Sequence, residues 1–110
     1  MKVDVDLEQE LSELRRKIDD IDAQILELVA ARVRVVLEVG EHKRRHGLAV
    51  YDPERERRLL ERLCQNAPPP LDSGTVRRVF ERLVDEARRI EQHYVGQGPA
   101  RLDERRPKGG

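Results

Sequence analysis

A single long stretch of helical periodicity, residues 11–46, most constrains what this chain can fold into. At about 1.5 Å per residue it is about 54 Å long, whereas a compact domain of 110 residues has a radius of gyration of about 13 Å. The rest of the chain is too small to cover a helix of that length. We therefore expect a second copy of the chain to cover its apolar face in an intertwined homodimer. At about 100° per residue, that face consists of Ile18, Ile21, Ile25, Leu28, Val29, Val36 and Val39.

The ends of this long helix are predicted from local signals. It is expected to begin near Asp6 or Leu11 and to continue to about His46, where Gly47 is a suitable stop because glycine readily ends helices. Gly40 lies inside the helix and weakens it by about 1 kcal/mol relative to alanine. We interpret Gly40 as a position where another part of the protein packs closely.

A second, short helix is predicted after a brief loop. Asp52 is a good N-cap, and Pro53 suits the first helical position because that position needs no amide donor. The helix is expected to end near Cys64, before a run of prolines that breaks it. Its inward-facing residues are Leu59, Leu60 and Leu63.

A third helix of medium length is predicted, capped by Asp72 or Ser73 and ending at about Tyr94. Its inward-facing residues are Val76, Phe80, Leu83, Val84, Ala87 and Glu91. The predicted fold class is therefore all-α, with one long, one short and one medium helix in a domain that spans residues 7–95. Residues 96–110 show no periodicity and are predicted to be a disordered tail.

The composition excludes some classes of partner. With 22 basic and 22 acidic residues, the chain has no net positive charge to attract nucleic acid. Two tyrosines, one phenylalanine and no tryptophan are too few for a platform on which bases stack. No apolar run approaches the roughly 20 residues of a membrane span, and the acidic N-terminus does not resemble a signal peptide. We therefore predict a cytoplasmic protein without a nucleic-acid or membrane partner.

The residue types that usually bind metals or act as nucleophiles are scattered along the chain. Cys64 is the only cysteine, so neither an intrachain disulfide nor a cysteine cluster for a metal can form. We interpret it as a half-buried apolar residue. The three histidines lack metal-ligand spacing, and no glycine-rich phosphate loop is present. The sequence therefore predicts neither a metal nor a cofactor.

Three charged residues stand on predicted apolar faces, Arg32 and Lys43 on the long helix and Glu91 on the third. Arg32 and Lys43 lie about 40° and about 20° around the helix from Ile18. One such residue is commonly explained by snorkelling, in which the aliphatic stem is buried and the charged head reaches water. Three of them on two helices favour a shared pocket instead, because cations on a core-facing stripe are costly unless they meet an anion. We therefore predict an anion-binding pocket inside a helical bundle.

Two further charged regions have roles that spacing alone leaves open. Arg15 lies about 25 Å along the helix axis from Arg32, so the two cannot easily touch one ligand from within one chain. In an antiparallel dimer Arg15 of the partner subunit reaches the pocket, although spacing alone favours an exposed surface arginine. At the start of the second helix, Glu54 is explained as a solvated first-turn acid. Glu56 is less easily explained in that way, because it lies one turn before the inward-facing leucines.

Four segments of the chain follow one another in the order of a known family. Residues 14–32 contain L-R-R-K-I, an aspartate and L-V-A-A-R, and residues 39–43 read V-G-E-H-K. Residues 52–56 read D-P-E-R-E, and the third helix ends its inward face on Glu91. This ordered set resembles the all-helical chorismate mutases over about residues 11–94, with their V-G-x-x-K and D-x-x-R-E motifs. The complete set is specific, whereas no single segment would be.

The resemblance implies a chorismate mutase, an isomerase that converts chorismate to prephenate in aromatic amino acid biosynthesis. This Claisen rearrangement is unimolecular and uses no covalent intermediate, metal or cofactor. The enzyme holds a dicarboxylate in a folded, near-attack conformer and stabilises the charge that develops as the ether bond breaks. The resemblance implies that Arg32 and Arg15 of the partner subunit bind the substrate carboxylates, for which arginine offers bidentate geometry.

The resemblance also implies roles for residues nearer the reacting bonds. Lys43 donates to the ether oxygen and to a carboxylate, and Glu91 donates a second hydrogen bond to the ether oxygen. Glu56, helped by Asp52, accepts from the ring hydroxyl, while Arg55 supports the carboxylate end. The implied catalytic residues are thus Arg32, Lys43 and Glu91, and the implied pocket walls are Val39, Leu59 and Val84.

Two positions have consequences of their own. Many relatives have serine where Ala87 stands, so one polar contact to the substrate is expected to be missing. Glu91 can donate a hydrogen bond only when it is protonated, since an ionised carboxylate only accepts. Desolvation raises the pKa of such a group and nearby Lys43 lowers it, and the sequence leaves open which effect is larger. We predict better activity below neutral pH unless the pocket raises the pKa of Glu91.

Alternatives to this function stay open. The same fold hosts isochorismate-pyruvate lyases and amino-deoxychorismate mutases, and the acidic acceptor in residues 52–56, which suits a ring hydroxyl, argues against both. A non-catalytic helical module for dimerisation or regulation is a different class, in which no small dicarboxylate binds. Such a module leaves the complete motif set unexplained. Some small mutases are activated by a partner enzyme of the same pathway, and the tail after Gly96 offers a segment for such docking.

Overall fold

A computed structural model shows three α-helices, namely α1 (Lys2–Arg45), α2 (Pro53–Gln65) and α3 (Ser73–Tyr94). The structure describes residues 2–94, with side chains from residue 6 onwards. All regular secondary structure in this part is helical, which confirms the all-α class with one long, one short and one medium helix. The predicted tail, residues 96–110, lies outside the described residues. No helix within the described part has an apolar stretch long enough to cross a membrane.

The long helix α1 begins earlier than predicted, at Lys2 rather than near Asp6 or Leu11. Its 44 residues correspond to a length of about 66 Å at about 1.5 Å per residue. Asp6, near which the helix was expected to begin, is itself a helical residue, and an acid near the start of a helix complements the positive end of the helix dipole. The N-terminal boundary was therefore wrong, while the existence of one unbroken helix is confirmed.

The C-terminal end of α1 has the backbone geometry that the sequence predicts. Gly47 has a φ of +70°, a left-handed conformation that glycine adopts without the cost paid by other residues. The amide of Leu48 donates to the carbonyl of Lys43 at 2.8 Å, and the amide of Gly47 donates to the carbonyl of Arg44 at 3.2 Å. These two bonds form a Schellman motif, which satisfies carbonyls that the last helical turn leaves free.

The chain divides into two compact units, one ending at Val33 and one beginning at Arg34. The first unit is the N-terminal part of α1, and most of its described side chains are exposed. Seven of its large apolar residues follow one another at alternating spacings of four and three and are exposed by between 38% and 70%: Leu7, Leu11, Leu14, Ile18, Ile21, Ile25 and Leu28. An average spacing of 3.5 residues is the heptad pattern by which helices pack against one another.

The second unit contains the last part of α1 together with α2 and α3, and α2 packs against α3. The inward-facing residues predicted for both helices are confirmed. Val76, Val84 and Ala87 of α3 are buried, and the remaining inward residues, Leu59, Leu60, Leu63, Phe80, Leu83 and Glu91, are half-buried. Cys64 is also half-buried, as predicted. The described core is small, and it holds α2 and α3, which carry Glu56 and Glu91 of the candidate site.

Side-chain caps fix the starts of α2 and α3. Oδ1 of Asp52 accepts a hydrogen bond from the amide of Arg55 at 3.0 Å, with proline in the first turn as predicted. Oδ1 of Asp72 accepts one from the amide of Thr75 at 2.7 Å. Asp72 is therefore the cap of α3, and Ser73 is its first helical residue. The hydrogen bond from Thr75 lowers the pKa of Asp72, because it stabilises the ionised carboxylate.

Candidate functional site

Gly40, near the end of α1, is buried against a side chain of α3. A Cβ atom at this position would lie 2.0 Å from Oε2 of Glu91 and 3.5 Å from Cγ1 of Val50. The first of these distances is far below van der Waals contact, so only glycine lets the Glu91 carboxyl group occupy its place. The close packing predicted at Gly40 is thereby confirmed, and the group that packs there is a predicted site residue.

The environment of Glu91 favours its protonated form. Burial raises the pKa of Glu91 above its ordinary value of 4.5 through desolvation, which is the largest effect. The positive charges of Arg44, Lys43 and Arg88 act in the opposite direction, while the carboxylate of Glu56 raises the pKa further. Desolvation therefore outweighs the cations, which answers the question that the sequence left open. A higher pKa keeps more of Glu91 protonated at a given pH, and only that form donates a hydrogen bond.

Lys43 lies one turn after Gly40 on α1 and is half-buried. Its Nζ donates to the carbonyl oxygen of Val50 at 3.5 Å, a long hydrogen bond that holds the ammonium group beside the loop between α1 and α2. An ammonium group has three donors, so two remain for a ligand. The charge of Lys43 acts on the carboxyl group of Glu91. The two predicted catalytic residues of the second unit therefore share one electrostatic environment.

Glu56, the predicted acceptor on α2, forms an ion pair with Arg88 of α3. The two side chains are only 27% and 32% exposed. The guanidinium carbon of Arg88 lies 4.4 Å from the centroid of the Tyr51 ring, within the range of a cation–π interaction. The hydrogen bond to Glu56 is the main reason why the pKa of Arg88 is raised. The carboxylate of Glu56 and the guanidinium of Arg88 therefore attract each other and fix both side chains in the folded protein.

The start of α2 uses Asp52 for structure as well as for the predicted contact with the substrate. One carboxylate oxygen of Asp52 caps the helix, and the side chain is half-buried. Arg55, in contrast, is exposed, and it forms no ion pair within the described part of the chain. The first turn of α2 thus presents Arg55 outward, while Glu56 packs toward α3.

The predicted apolar contacts differ in their burial. Ala87 is 3% exposed and Val84 is 9% exposed, and Leu59 is half-buried. Val39 is 47% exposed. Three of these four residues are therefore sheltered within a single chain, and Val39 is not. Ala87 has only a methyl group, which offers no hydrogen bond.

The two remaining predicted residues, Arg15 and Arg32, belong to the first unit. Arg15 is exposed and Arg32 is half-buried. Neither forms an ion pair with another described residue. The second unit therefore brings together Lys43, Glu56 and Glu91, while the roles of Arg15 and Arg32 in binding carboxylates stay predictions.

Arg88 and Arg44 are absent from the predicted site residues, although both act on Glu91. Arg88 directly follows Ala87, which places it about 100° around α3 from the apolar face, where a surface arginine is ordinary. One signal pointed to it, since Arg88 precedes Glu91 by three residues and residues with that spacing share a side of a helix. Its ion pair with Glu56 joins residues 32 positions apart, a contact that local patterns do not reveal.

The second unit thus combines cations with a carboxyl group of raised pKa and a paired carboxylate. Such a set can bind an anion through Lys43, donate a hydrogen bond from protonated Glu91 and accept one at Glu56. Among the described residues, no group of three or more histidine, cysteine, aspartate or glutamate side chains is placed to hold a metal ion.

Comparison with known proteins identifies the family. A family model described as "Chorismate mutase type II" matches residues 14–92, which is most of the chain. The chain belongs to this family. The matched residues include every predicted site residue of this chorismate mutase, from Arg15 to Glu91.

Several curated relatives carry related names. The chorismate mutase of Methanocaldococcus jannaschii is 32% identical over 90 residues, covering 79% of this chain and 89% of that protein. The T-protein of Enterobacter agglomerans is 44% identical over 76 residues, covering 64% of this chain. The chain spans 20% of that longer protein. The 4-amino-4-deoxychorismate mutase of Streptomyces pristinaespiralis is 28% identical over 91 residues, covering 82% of this chain and 70% of that protein.

A solved structure supports the same fold. The chorismate mutase (form II) of Thermus thermophilus superposes with a TM-score of 0.72 at 31% sequence identity. The match covers 76% of this chain and 94% of that chain. The all-helical architecture of this chain is therefore that of a chorismate mutase.

Proposed function

We propose that this protein is a chorismate mutase, an isomerase that rearranges chorismate to prephenate. Membership of the family supports this reaction, and the strongest support within the site is the environment of Glu91. The Glu91 carboxyl group is buried on Gly40 with a raised pKa, in the field of Lys43. Two hydrogen-bond donors, an ammonium and a neutral carboxyl group, thus lie in one part of the second unit. Such a pair suits an ether oxygen that gains negative charge as its bond to carbon breaks.

The reaction requires positioning more than chemical activation, because it takes place within one molecule. Chorismate carries two carboxylates, and binding both in a folded conformer brings the reacting carbons together. We assign this binding to Arg32, Lys43 and Arg15 of the partner subunit, with Arg55 supporting the carboxylate end. Arginine suits the task because its planar group binds a carboxylate through two hydrogen bonds.

Lys43 and Glu91 together stabilise the ether oxygen in this proposal. Removing one preorganised donor of this kind from an enzyme costs about 10²–10³-fold in kcat. Glu91 contributes only when protonated, and the desolvation that raises its pKa supports this role. Glu56 accepts from the ring hydroxyl with the help of Asp52. Val39, Leu59 and Val84 form the pocket walls, and Ala87 contacts the substrate through its methyl group.

A homodimer completes the site in this proposal. The apolar residues of the N-terminal part of α1 have heptad spacing and are exposed in the single chain, as at Ile18 (55%) and Ile25 (51%). Two such faces bury one another when helices of two chains pack together. The same packing supplies Arg15 of the partner subunit, which is exposed in its own chain.

The wider context of the activity is also a proposal. We infer that the prephenate serves aromatic amino acid biosynthesis. A partner enzyme of the same pathway and the cytoplasmic location stay predictions from the sequence.

The test is an assay of purified protein with chorismate, in which loss of substrate absorbance is followed and the product is identified chemically. We expect prephenate, and we expect Lys43→Met to lower kcat by about 100-fold or more, the loss typical of removing such a donor. Arg45→Met is the matched control, because Arg45 lies two residues away, is exposed and pairs with Glu41. It should leave the rate nearly unchanged.

Two results would contradict the proposal. A folded protein that leaves chorismate unchanged would point to a non-catalytic helical module. Release of pyruvate from isochorismate, without conversion of chorismate, would point to a lyase of the same fold.

A further inference from the structure

Arg88 occupies a place between the first turn of α2 and the loop before it. Its Nη2 donates to Oε1 of Glu56, and its guanidinium covers the Tyr51 ring. Nε of Arg88 is buried and has no hydrogen-bond partner in the described residues. Oε2 of Glu56 accepts no hydrogen bond from any described residue. One carboxylate oxygen is therefore held by Arg88 while the other is left for a ligand.

The ion pair changes what the free oxygen prefers to bind. A lone carboxylate attracts an ammonium group more strongly than a hydroxyl, because the first contact joins two full charges. When a carboxylate already pairs with a guanidinium, the net charge of the pair is near zero, so it attracts a further cation only weakly. The same guanidinium repels a second cation nearby, whereas a neutral hydroxyl can still donate to Oε2. The partial burial of both side chains limits how much water screens these effects.

We propose that Arg88 is a positioning residue that, through Glu56, makes the site prefer a substrate with a ring hydroxyl over one with a ring ammonium group. This inference rests on the proposed function, in which Glu56 faces the ring substituent. It names a determinant that separates chorismate from 4-amino-4-deoxychorismate as substrates. Arg88 acts without touching the substrate, by orienting Glu56 and neutralising its charge.

The experiment compares kcat/KM for chorismate and for 4-amino-4-deoxychorismate at neutral pH in the whole 110-residue chain. Arg88→Met removes the charge but keeps an extended side chain, and Arg88→Lys keeps the charge. Arg89→Met is the matched control, because Arg89 is the next residue on α3, is exposed and pairs with Glu86. Arg88→Gln serves as a second neutral variant if the methionine variant does not fold, as judged by its helical circular dichroism.

We expect the ratio of kcat/KM, chorismate over the amino compound, to fall by about tenfold or more in the neutral Arg88 variants, since charge-assisted contacts exceed neutral ones by that order. The lysine variant should largely retain the ratio, and the Arg89 control should leave it unchanged. If Arg88 had a purely structural role, its loss would lower kcat/KM for both substrates equally. An unchanged ratio in the neutral variants therefore overturns the inference. If the wild-type protein converts no chorismate, the proposed function itself is wrong. If it converts chorismate but the ratio does not change in the neutral variants, only the inference about Arg88 is wrong.

Discussion

Substituting Gly40 with alanine should lower the rate of the enzyme by about 100-fold without unfolding it. The new Cβ would lie 2.0 Å from Oε2 of Glu91, and real Cβ contacts rarely fall below 3.0 Å, so the carboxyl group must move by about 1 Å. The Glu91 side chain is flexible and can turn away, which relieves the overlap at little cost to the fold. A displacement of about 1 Å from the reactive geometry can cost about 100-fold in rate. This corresponds to about 2.7 kcal/mol of transition-state stabilisation.

The thermal stability of the Gly40→Ala variant should rise or stay unchanged, although its activity falls. Alanine is favoured over glycine inside a helix by about 1 kcal/mol, which offsets the cost of moving Glu91. Gly74→Ala is the matched control, because a Cβ there meets Nη1 of Arg78 no closer than 3.4 Å. It should leave kcat unchanged. Chorismate turnover and thermal unfolding, measured on the same preparations, separate the effect on the site from the effect on the fold.

A double-mutant cycle identifies the cause of the loss. In a Glu91→Ala background the carboxyl group is gone, so adding Gly40→Ala should cause almost no further loss of kcat. Two results would refute the reasoning. The first is wild-type kcat in Gly40→Ala. The second is an equally large loss whether residue 91 is glutamate or alanine, which would mean that Gly40 acts on the site independently of Glu91.

Four further predictions concern pH, assembly and capping. The rate of the wild-type enzyme should fall as pH rises through the raised pKa of Glu91, because the ionised form cannot donate, and Glu91→Gln should abolish this alkaline limb in a pH–rate profile. The folded state binds a proton at Glu91 more tightly than the unfolded state does, so stability should also fall as pH rises between the two pKa values, and Glu91→Gln should remove that slope in pH-dependent melting. Ile21→Glu, in the exposed heptad face, should yield monomers in sedimentation velocity and lose turnover, whereas dimers of unchanged activity would argue against that interface. Asp52→Asn should retain the stability of α2 while Asp52→Ala lowers it by about 1 kcal/mol in chemical denaturation, because asparagine can still accept the capping hydrogen bond.

The helices were predictable because their signals are local. The inward faces of α2 and α3 follow from apolar spacing. Asp52 marks a helix start by accepting a hydrogen bond from a helix amide, and Gly47 marks a helix end by its left-handed conformation. The predicted start of α1, near Asp6 or Leu11, is too late, because an acid near a helix start is equally compatible with a helix that has already begun. Local patterns therefore predict where the helices lie more reliably than they predict the residue at which α1 begins.

The site was predictable only in part, because some of its properties depend on contacts between distant residues. Gly40 was expected to allow close packing, but the identity of the packed group, Glu91, required the arrangement of the end of α1 and α3. The direction of the pKa shift of Glu91 required a comparison of its burial with the charges around it. Arg88 resembles a surface arginine until its pairing with Glu56 is seen.

The connection between α1 and α2, residues 46–52, has a consequence for how this protein can diverge in evolution. Gly47 ends α1, Val50 provides the carbonyl that holds Lys43, Tyr51 lies beneath Arg88, and Asp52 starts α2. Loops usually tolerate inserted and deleted residues better than helices do. Here a single inserted residue would shift Val50 and Tyr51 away from their partners while leaving both helices intact. We therefore expect this loop to keep its length among active homologues, so that loop length becomes a marker of retained catalysis.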